Sequence, residues 1–114
     1  MNLKEYIRDV PDFPKEGILF KDITPLLSSP SAFKEVTRLL AEKYSNDNID
    51  AIVAAEARGF IFGGPLAHEL HVPFVPIRKP GKLPFQTKSL TYDLEYGTDT
   101  LEMHIDAVSE GQRI

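Results

Sequence analysis

The chain has 114 residues and a mass of 12.8 kDa, enough for one modest core and too little for a second domain. Hydrophobic residues at 42% and charged residues at 26% exclude wholesale disorder and fibrous repeats, and a formal charge of -4 argues against a general nucleic-acid binder. The absence of cysteine excludes disulfides, thiolate metal sites and a cysteine nucleophile.

Along the chain, Leu3, Tyr6, Ile7 and Val10 have helical spacing that ends at Pro11, which predicts a short N-terminal helix. Pro11 to Gly17 reads as a loop. Ile18-Leu19-Phe20 is too short an apolar run for a helix, and Asp22-Ile-Thr-Pro25 leads away from it as a turn. Ser29 before Pro30 is an N-cap followed by proline at the first helical position. Ala32, Phe33, Val36, Leu39, Leu40 and Tyr44 then recur at three- and four-residue intervals, so a helix is expected there. After the turn cluster Ser45 to Asn48, the apolar run Ile49 to Ala55 predicts a strand covered on both faces.

Arg58-Gly59 separates that strand from a segment ending at Leu70 whose later part reads as helix, and Val72 to Ile77 reads as a second strand. Strand, helix, strand implies a parallel pair with a right-handed crossover. Ser89 to Leu94 and Thr100 to Ile105 alternate about Tyr96 to Asp99, which predicts an antiparallel hairpin set apart from the parallel core. Gly111 to Ile114 reads as a turn and the first residue of a further strand, so the expectation is a single incomplete domain over 1–114. No stretch approaches the about 18 apolar residues of a membrane span, the N-terminus has no apolar leader, and a cytoplasmic location is expected. His68, His71 and His104 are scattered and predict no metal site.

Charge is unevenly spread. Residues 58–88 hold Arg58, Arg78, Lys79, Lys82 and Lys88 against the single acid Glu69, whereas residues 89–110 hold six acids and no Lys or Arg. In an open α/β sheet, ligands bind beyond the carboxyl ends of the strands, and two basic, glycine-containing loops leave such ends: Glu56 to Gly59 and Arg78 to Lys82. Glycine admits close approach of backbone N–H groups, a following helix aims its positive end at the same space, and Arg and Lys neutralise an anion there. A phosphate or pyrophosphate is the simplest fit. Arg58 paired with Glu56, exposed turn lysines, a core Phe20 and an acidic solvent hairpin are the structural alternatives.

Four strings occur in order: Phe13-Pro-x-x-Gly17-Ile-Leu-Phe20-Lys-Asp-Ile-Thr-Pro25, Glu56-Ala-Arg-Gly-Phe60-x-Phe-Gly63, Ile77-Arg-Lys-x-Gly-Lys-Leu-Pro84 and Tyr92-x-Leu-Glu-Tyr-Gly97. Together they resemble the adenine phosphoribosyltransferase family over essentially the whole chain. The resemblance implies the α/β type I phosphoribosyltransferase fold, a parallel sheet flanked by helices with an antiparallel hairpin. It implies formation of AMP and pyrophosphate from adenine and phosphoribosyl pyrophosphate (PRPP), with Mg²⁺ carried by PRPP and a homodimer in intact members. On this resemblance Phe20 stacks on adenine while the backbone of Leu19 and Lys21 binds its edge. Arg58, Gly59, Arg78, Lys79 and Lys82 bind the pyrophosphate of PRPP, and Glu95 and Tyr96 form the tip of a catalytic loop. A cis or distorted peptide between Ala57 and Arg58 is also expected. The family's two adjacent acids followed by an Ala-Thr-Gly-Gly-Thr-type loop, which hold the ribose 5-phosphate, have no counterpart here, so the C-terminal part of the core is expected to be missing and the 114 residues inactive alone. Rival expectations are a regulatory remnant that keeps a purine or pyrophosphate site and a transferase for 6-oxopurines.

Overall fold

In a computed structural model that describes residues 1–114, the chain forms two units, Met1–Leu40 and Ala41–Ile114. The first opens with a single 3-10 turn, Leu3–Tyr6, in which the Asn2 side chain accepts a hydrogen bond from Lys4 N. The predicted N-terminal helix therefore stops at Tyr6. Arg8–Pro11 (β1) instead pairs antiparallel with Leu19–Asp22 (β2), because the long-range ladder satisfies backbone groups that one isolated helical turn could not. The connection between them bends at Asp12 and Gly17, both with positive φ. Gly17 N donates to Asp12 Oδ1 at 2.9 Å, and the Phe13–Pro14 peptide is cis.

Asp22 turns the chain by accepting from Thr24 N at 2.9 Å and Thr24 Oγ1 at 2.8 Å, which starts the short helix Thr24–Leu27 (α1). Helix α2 spans Pro30–Tyr44 and begins as the sequence predicts: Ser29 Oγ accepts from Ala32 N at 3.3 Å, and Ser29 O accepts from Phe33 N at 2.9 Å. Leu26 and Ala32 are the buried side chains of this unit.

In the second unit Ile52–Ala55 (β3) and Phe74–Ile77 (β4) are parallel neighbours in the register Ile52 to Phe74 through Ala55 to Ile77. The crossover is helix α3, Arg58–Leu70, which starts earlier than predicted, so Arg58 and Gly59 form its first turn rather than a loop. Close packing explains Gly63: a Cβ there would lie 2.8 Å from the Phe74 ring and 2.9 Å from Ala54 Cβ. Strand β3 is not covered on both faces, since Ile52, Val53 and Ala54 are half-buried and Ala55 is exposed. Ala41, Ala51, Leu66, Ala67 and Val75 make the core of this unit.

Thr87–Asp93 (β5) and Thr98–His104 (β6) form the predicted hairpin, paired from Thr87 with His104 to Asp93 with Thr98. It is not set apart from the parallel pair. Arg78 N donates to Glu102 O at 3.0 Å and Glu102 N to Arg78 O at 2.7 Å, so β6 is tied to the residue that leaves β4. Near the C-terminus, Asp50 and Arg113 exchange hydrogen bonds of 2.7 and 2.8 Å beside the start of β3. No helix is long and apolar enough to cross a membrane.

Candidate active site

In the first unit, strand alternation places Phe20 and Asp22 on one face of β2 and Leu19 and Lys21 on the other. Phe20 is half-buried rather than sealed in a core. Its ring stands edge-on to Phe13, with centroids 5.1 Å apart and planes at 71°, and Val10, Phe13, Phe20 and Asp22 line a cleft of about 290 Å³. On the opposite face Lys21 Nζ lies 2.5 Å from Asp9 Oδ1. Leu19 faces Pro11 across the ladder, and Pro11 has no N–H to donate to it. A flat apolar surface beside an incompletely paired backbone is what a planar base with polar edges requires.

In the second unit the ends of β3 and β4 deliver two loops side by side, and Glu56 N donates to Ile77 O at 3.0 Å where they diverge. The non-proline cis peptide lies between Glu56 and Ala57, one bond before the position expected from the sequence; Ala57 is already the N-cap of α3. Arg58 is exposed and forms no ion pair, with Glu56 or any other acid. The N-cap residue Ala57 contributes no side-chain hydrogen bond and the first turn of α3 has no acid. The helix therefore begins with open N–H groups beside a free guanidinium, an arrangement suited to an anion. Gly59 lies against β3, where a Cβ would make an ordinary contact of 3.4 Å with Ala54 Cβ.

Glu56 turns the other way and organises the basic loop. Its Oε1 accepts from Lys79 N at 2.7 Å and lies 3.4 Å from Arg78 Nε, while its Oε2 accepts from Lys82 Nζ at 2.7 Å. The Lys82 hydrogen bond first, then that from Lys79 N, holds the Glu56 carboxyl below its ordinary range. Arg78 Nε is buried and makes no hydrogen bond, so the ion-pair contact with Glu56 does not satisfy that N–H. Glu102 braces the same turn: its Oε1 accepts from Gly81 N at 2.8 Å, and its Oε2 accepts from Thr87 Oγ1 at 2.8 Å and Ser89 Oγ at 3.1 Å. The Thr87 hydrogen bond is the leading reason its pKa is lowered. Lys79 reaches across to Asp99 of β6 as an ion pair. That hydrogen bond is the main cause of both the raised Lys79 and the lowered Asp99 pKa.

The structure thus brings Arg58, Gly59, Arg78, Lys79 and Lys82 to the carboxyl ends of two adjacent strands, with the helix start between them. Glu95 and Tyr96 lie at the exposed tip of the β5–β6 turn, where Leu94 N donates to Gly97 O at 2.9 Å; Tyr96 is 88% exposed. Sequence reasoning missed Glu56, Asp99 and Glu102 as parts of the site. The Glu-Ala-Arg-Gly string carries a signal for Glu56, but read alone it offers Glu56 only as a partner for Arg58. Asp99 and Glu102 are indistinguishable from the other acids of an exposed hairpin until the register places them beside Lys79 and Gly81.

A crossover-linked parallel pair with a basic loop at its carboxyl end, joined to an antiparallel hairpin, is the arrangement of a type I phosphoribosyltransferase, and the phosphoribosyl transferase domain family matches residues 22–94. The adenine phosphoribosyltransferase of Maridesulfovibrio salexigens is 62% identical over 114 residues, all of this chain and 67% of that protein. The crystal structure of adenine phosphoribosyltransferase from Thermoanaerobacter pseudethanolicus superposes with a TM-score of 0.91 at 58% identity, covering 96% of this chain and 64% of that one. The Saccharomyces cerevisiae enzyme, crystallised with an imino-altritol bisphosphate and adenine, superposes with a TM-score of 0.87 at 42% identity, covering 96% and 65%. The chain belongs to the adenine phosphoribosyltransferase family. It spans about two-thirds of the length of the relatives it matches.

Proposed function

We propose that this chain supplies the base-binding and pyrophosphate-binding parts of a cytoplasmic, homodimeric adenine phosphoribosyltransferase that forms AMP and pyrophosphate from adenine and PRPP in purine salvage. The observation that carries the reading is the convergence of Arg58, the open start of α3 and the basic turn Arg78 to Lys82 at the carboxyl ends of β3 and β4. In the transfer, adenine N9 bonds to ribose C1′, the bond from C1′ to the pyrophosphate oxygen breaks, and the proton carried by the purine departs. Negative charge grows on the leaving pyrophosphate as that bond breaks. Cations fixed in advance by Glu56 and Glu102 therefore stabilise the transition state more than the bound substrate.

Phe20 serves as the stacking platform for adenine, with backbone groups of Leu19 and Lys21 available to its edge. Glu95 and Tyr96 act when the hairpin tip covers the site, the Glu95 carboxyl serving as the acid near the purine N7 or, ionised, steadying the positive ribose. Nowhere do three His, Asp or Glu side chains converge, and Glu56, Asp99 and Glu102 are occupied by Lys82, Lys79 and Gly81. As the family resemblance implies, Mg²⁺ enters as the counter-ion of PRPP and is part of the substrate.

Residues 1–114 contain no string of two adjacent acids followed by an Ala-Thr-Gly-Gly-Thr-type loop, which supports binding without turnover for these residues alone. The second reading is a module that retains a purine or pyrophosphate site without the transfer chemistry. Labelled adenine decides between them. Residues 1–114 combined with a C-terminal fragment of a relative should convert adenine to AMP, and Arg58→Ala should lower that rate on the order of 100-fold. Retained adenine binding with no AMP from the combined fragments would favour the non-enzymatic module.

A further inference from the structure

The four cations assigned to the pyrophosphate are not equally available. Arg58 is unpaired, and Lys82 and Arg78 face Glu56, which is itself anchored to the turn by Lys79 N. Lys79 differs, because its ammonium is held by Asp99, a residue of another element that lies two positions after Gly97 of the hairpin turn. Beyond the Lys79 ammonium, Asp99 Oδ1 accepts from Thr100 N at 2.8 Å and Oδ2 from Tyr92 Oη at 3.3 Å. Its carboxylate would keep both of those donors if the lysine left.

We propose that Asp99 is an internal stand-in for the ligand's phosphate, occupying Lys79 until pyrophosphate displaces it and so coupling anion binding to release of the hairpin tip that carries Glu95 and Tyr96. The inference rests on the assignment of Lys79 to the pyrophosphate in the preceding section.

Three observations carry it. First, the pair is partly open to water, with side-chain exposures of 43% for Lys79 and 27% for Asp99, so the contact is weak enough to exchange. Second, a pyrophosphate carries more charge than one carboxylate and also draws on Arg58, Arg78 and Lys82, so it wins the competition that Asp99 wins in its absence. Third, the remaining ties between the basic turn and the hairpin are the Arg78–Glu102 backbone exchange and the Gly81–Glu102 bond, three residues further from the tip. Residues 94–98 are held by their own turn and ladder, and the Lys79–Asp99 pair is the tie to the basic turn that lies nearest to them. The raised Lys79 and lowered Asp99 pKa are the electrostatic trace of the same pairing.

Calorimetric titration of inorganic pyrophosphate, without Mg²⁺, into the protein and its Asp99→Asn, Lys79→Ala and doubly substituted variants tests the exchange. The side-chain amide introduced by Asp99→Asn would keep the acceptor for Thr100 N and the neighbour for Tyr92 but would lose the charge. Asp99→Asn should tighten pyrophosphate on the order of two- to fivefold, Lys79→Ala should weaken it, and Asp99→Asn should have no effect once Lys79 is gone. Unchanged or weaker binding in Asp99→Asn overturns the inference while Lys79→Ala still supports the site. Equal tightening in the Lys79→Ala background reduces the effect to general electrostatics and also overturns it. Unchanged binding in Lys79→Ala overturns the assignment of Lys79 itself. In the unsubstituted protein, the Asp99 carboxyl followed by carbon-13 NMR should titrate closer to the ordinary aspartate range once pyrophosphate is added; an unmoved titration contradicts displacement. Amide exchange at residues 94–98 should quicken several-fold in Asp99→Asn and stay unchanged at 102–104, and slow exchange at the tip would remove the coupling.

Discussion

Glu56 is an anion placed among cations proposed to hold an anion, and its hydrogen bonds explain why. One oxygen fixes the backbone of Lys79 and the other gathers Lys82, so the carboxylate shapes the turn as well as opposing its charge. The two roles predict opposite signs. If shaping dominates, Glu56→Ala should weaken pyrophosphate binding on the order of tenfold, because a loosened turn must be ordered on binding; tighter binding would show that repulsion dominates. For Phe20, half-burial beside a cleft predicts that Phe20→Ala weakens adenine by about 1–3 kcal/mol and leaves pyrophosphate affinity unchanged. A core role would instead cost about 3–5 kcal/mol of stability and affect both ligands, so thermal melting beside two titrations separates the cases.

Among the elements, α3 makes the sharpest demand on the sequence. Gly63 packs where a Cβ would meet Phe74 and Ala54 below 3.0 Å, whereas nothing lies within 4 Å of a Cβ on Gly64. Gly63→Ala is therefore expected to destabilise the protein by about 1–3 kcal/mol, and Gly64→Ala to stabilise it by about 0.5–1 kcal/mol, both measurable by chemical denaturation. These glycines, with Pro65, also hide the start of the helix from sequence reading: they weaken helix propensity where tertiary packing imposes a helix. By contrast α2 is legible because Ser29, Pro30 and the apolar spacing all agree locally. The N-terminal segment misleads because Leu3, Tyr6, Ile7 and Val10 suit a helix face, while Arg8–Pro11 follows its partner β2, a long-range preference that periodicity does not contain. The basic loops are legible as charge at strand ends. Their carboxylate braces are not, because the pairing of Asp99 with Lys79 and of Glu102 with Gly81 depends on the hairpin's docking at Arg78.

At the scale of the whole molecule, the same carboxylates, together with Asp22 and Glu35, set the response to acid. Glu56, Asp99 and Glu102 have folded-state pKa values below their ordinary ones. The stability they contribute is complete above the unfolded values near about pH 4 and is lost as pH falls through the lower folded values. Lys79 acts at the other end: its raised pKa contributes stability below about pH 10.4 that is lost as pH rises through the folded value. Melting temperatures should therefore be level across neutral pH and fall below about pH 4, with a shallower acid slope in Glu56→Gln; an unchanged slope would deny Glu56 its brace.

The proposed recognition of adenine and pyrophosphate by these residues serves a transfer between the two. Its most direct test joins residues 1–114 at Ile114 to the C-terminal third of a bacterial relative and follows labelled adenine into AMP with PRPP and Mg²⁺. AMP is expected from the chimera, none from either part alone, and loss of the product with Arg58→Ala. A folded chimera that binds adenine and pyrophosphate yet forms no AMP would contradict the proposed transfer.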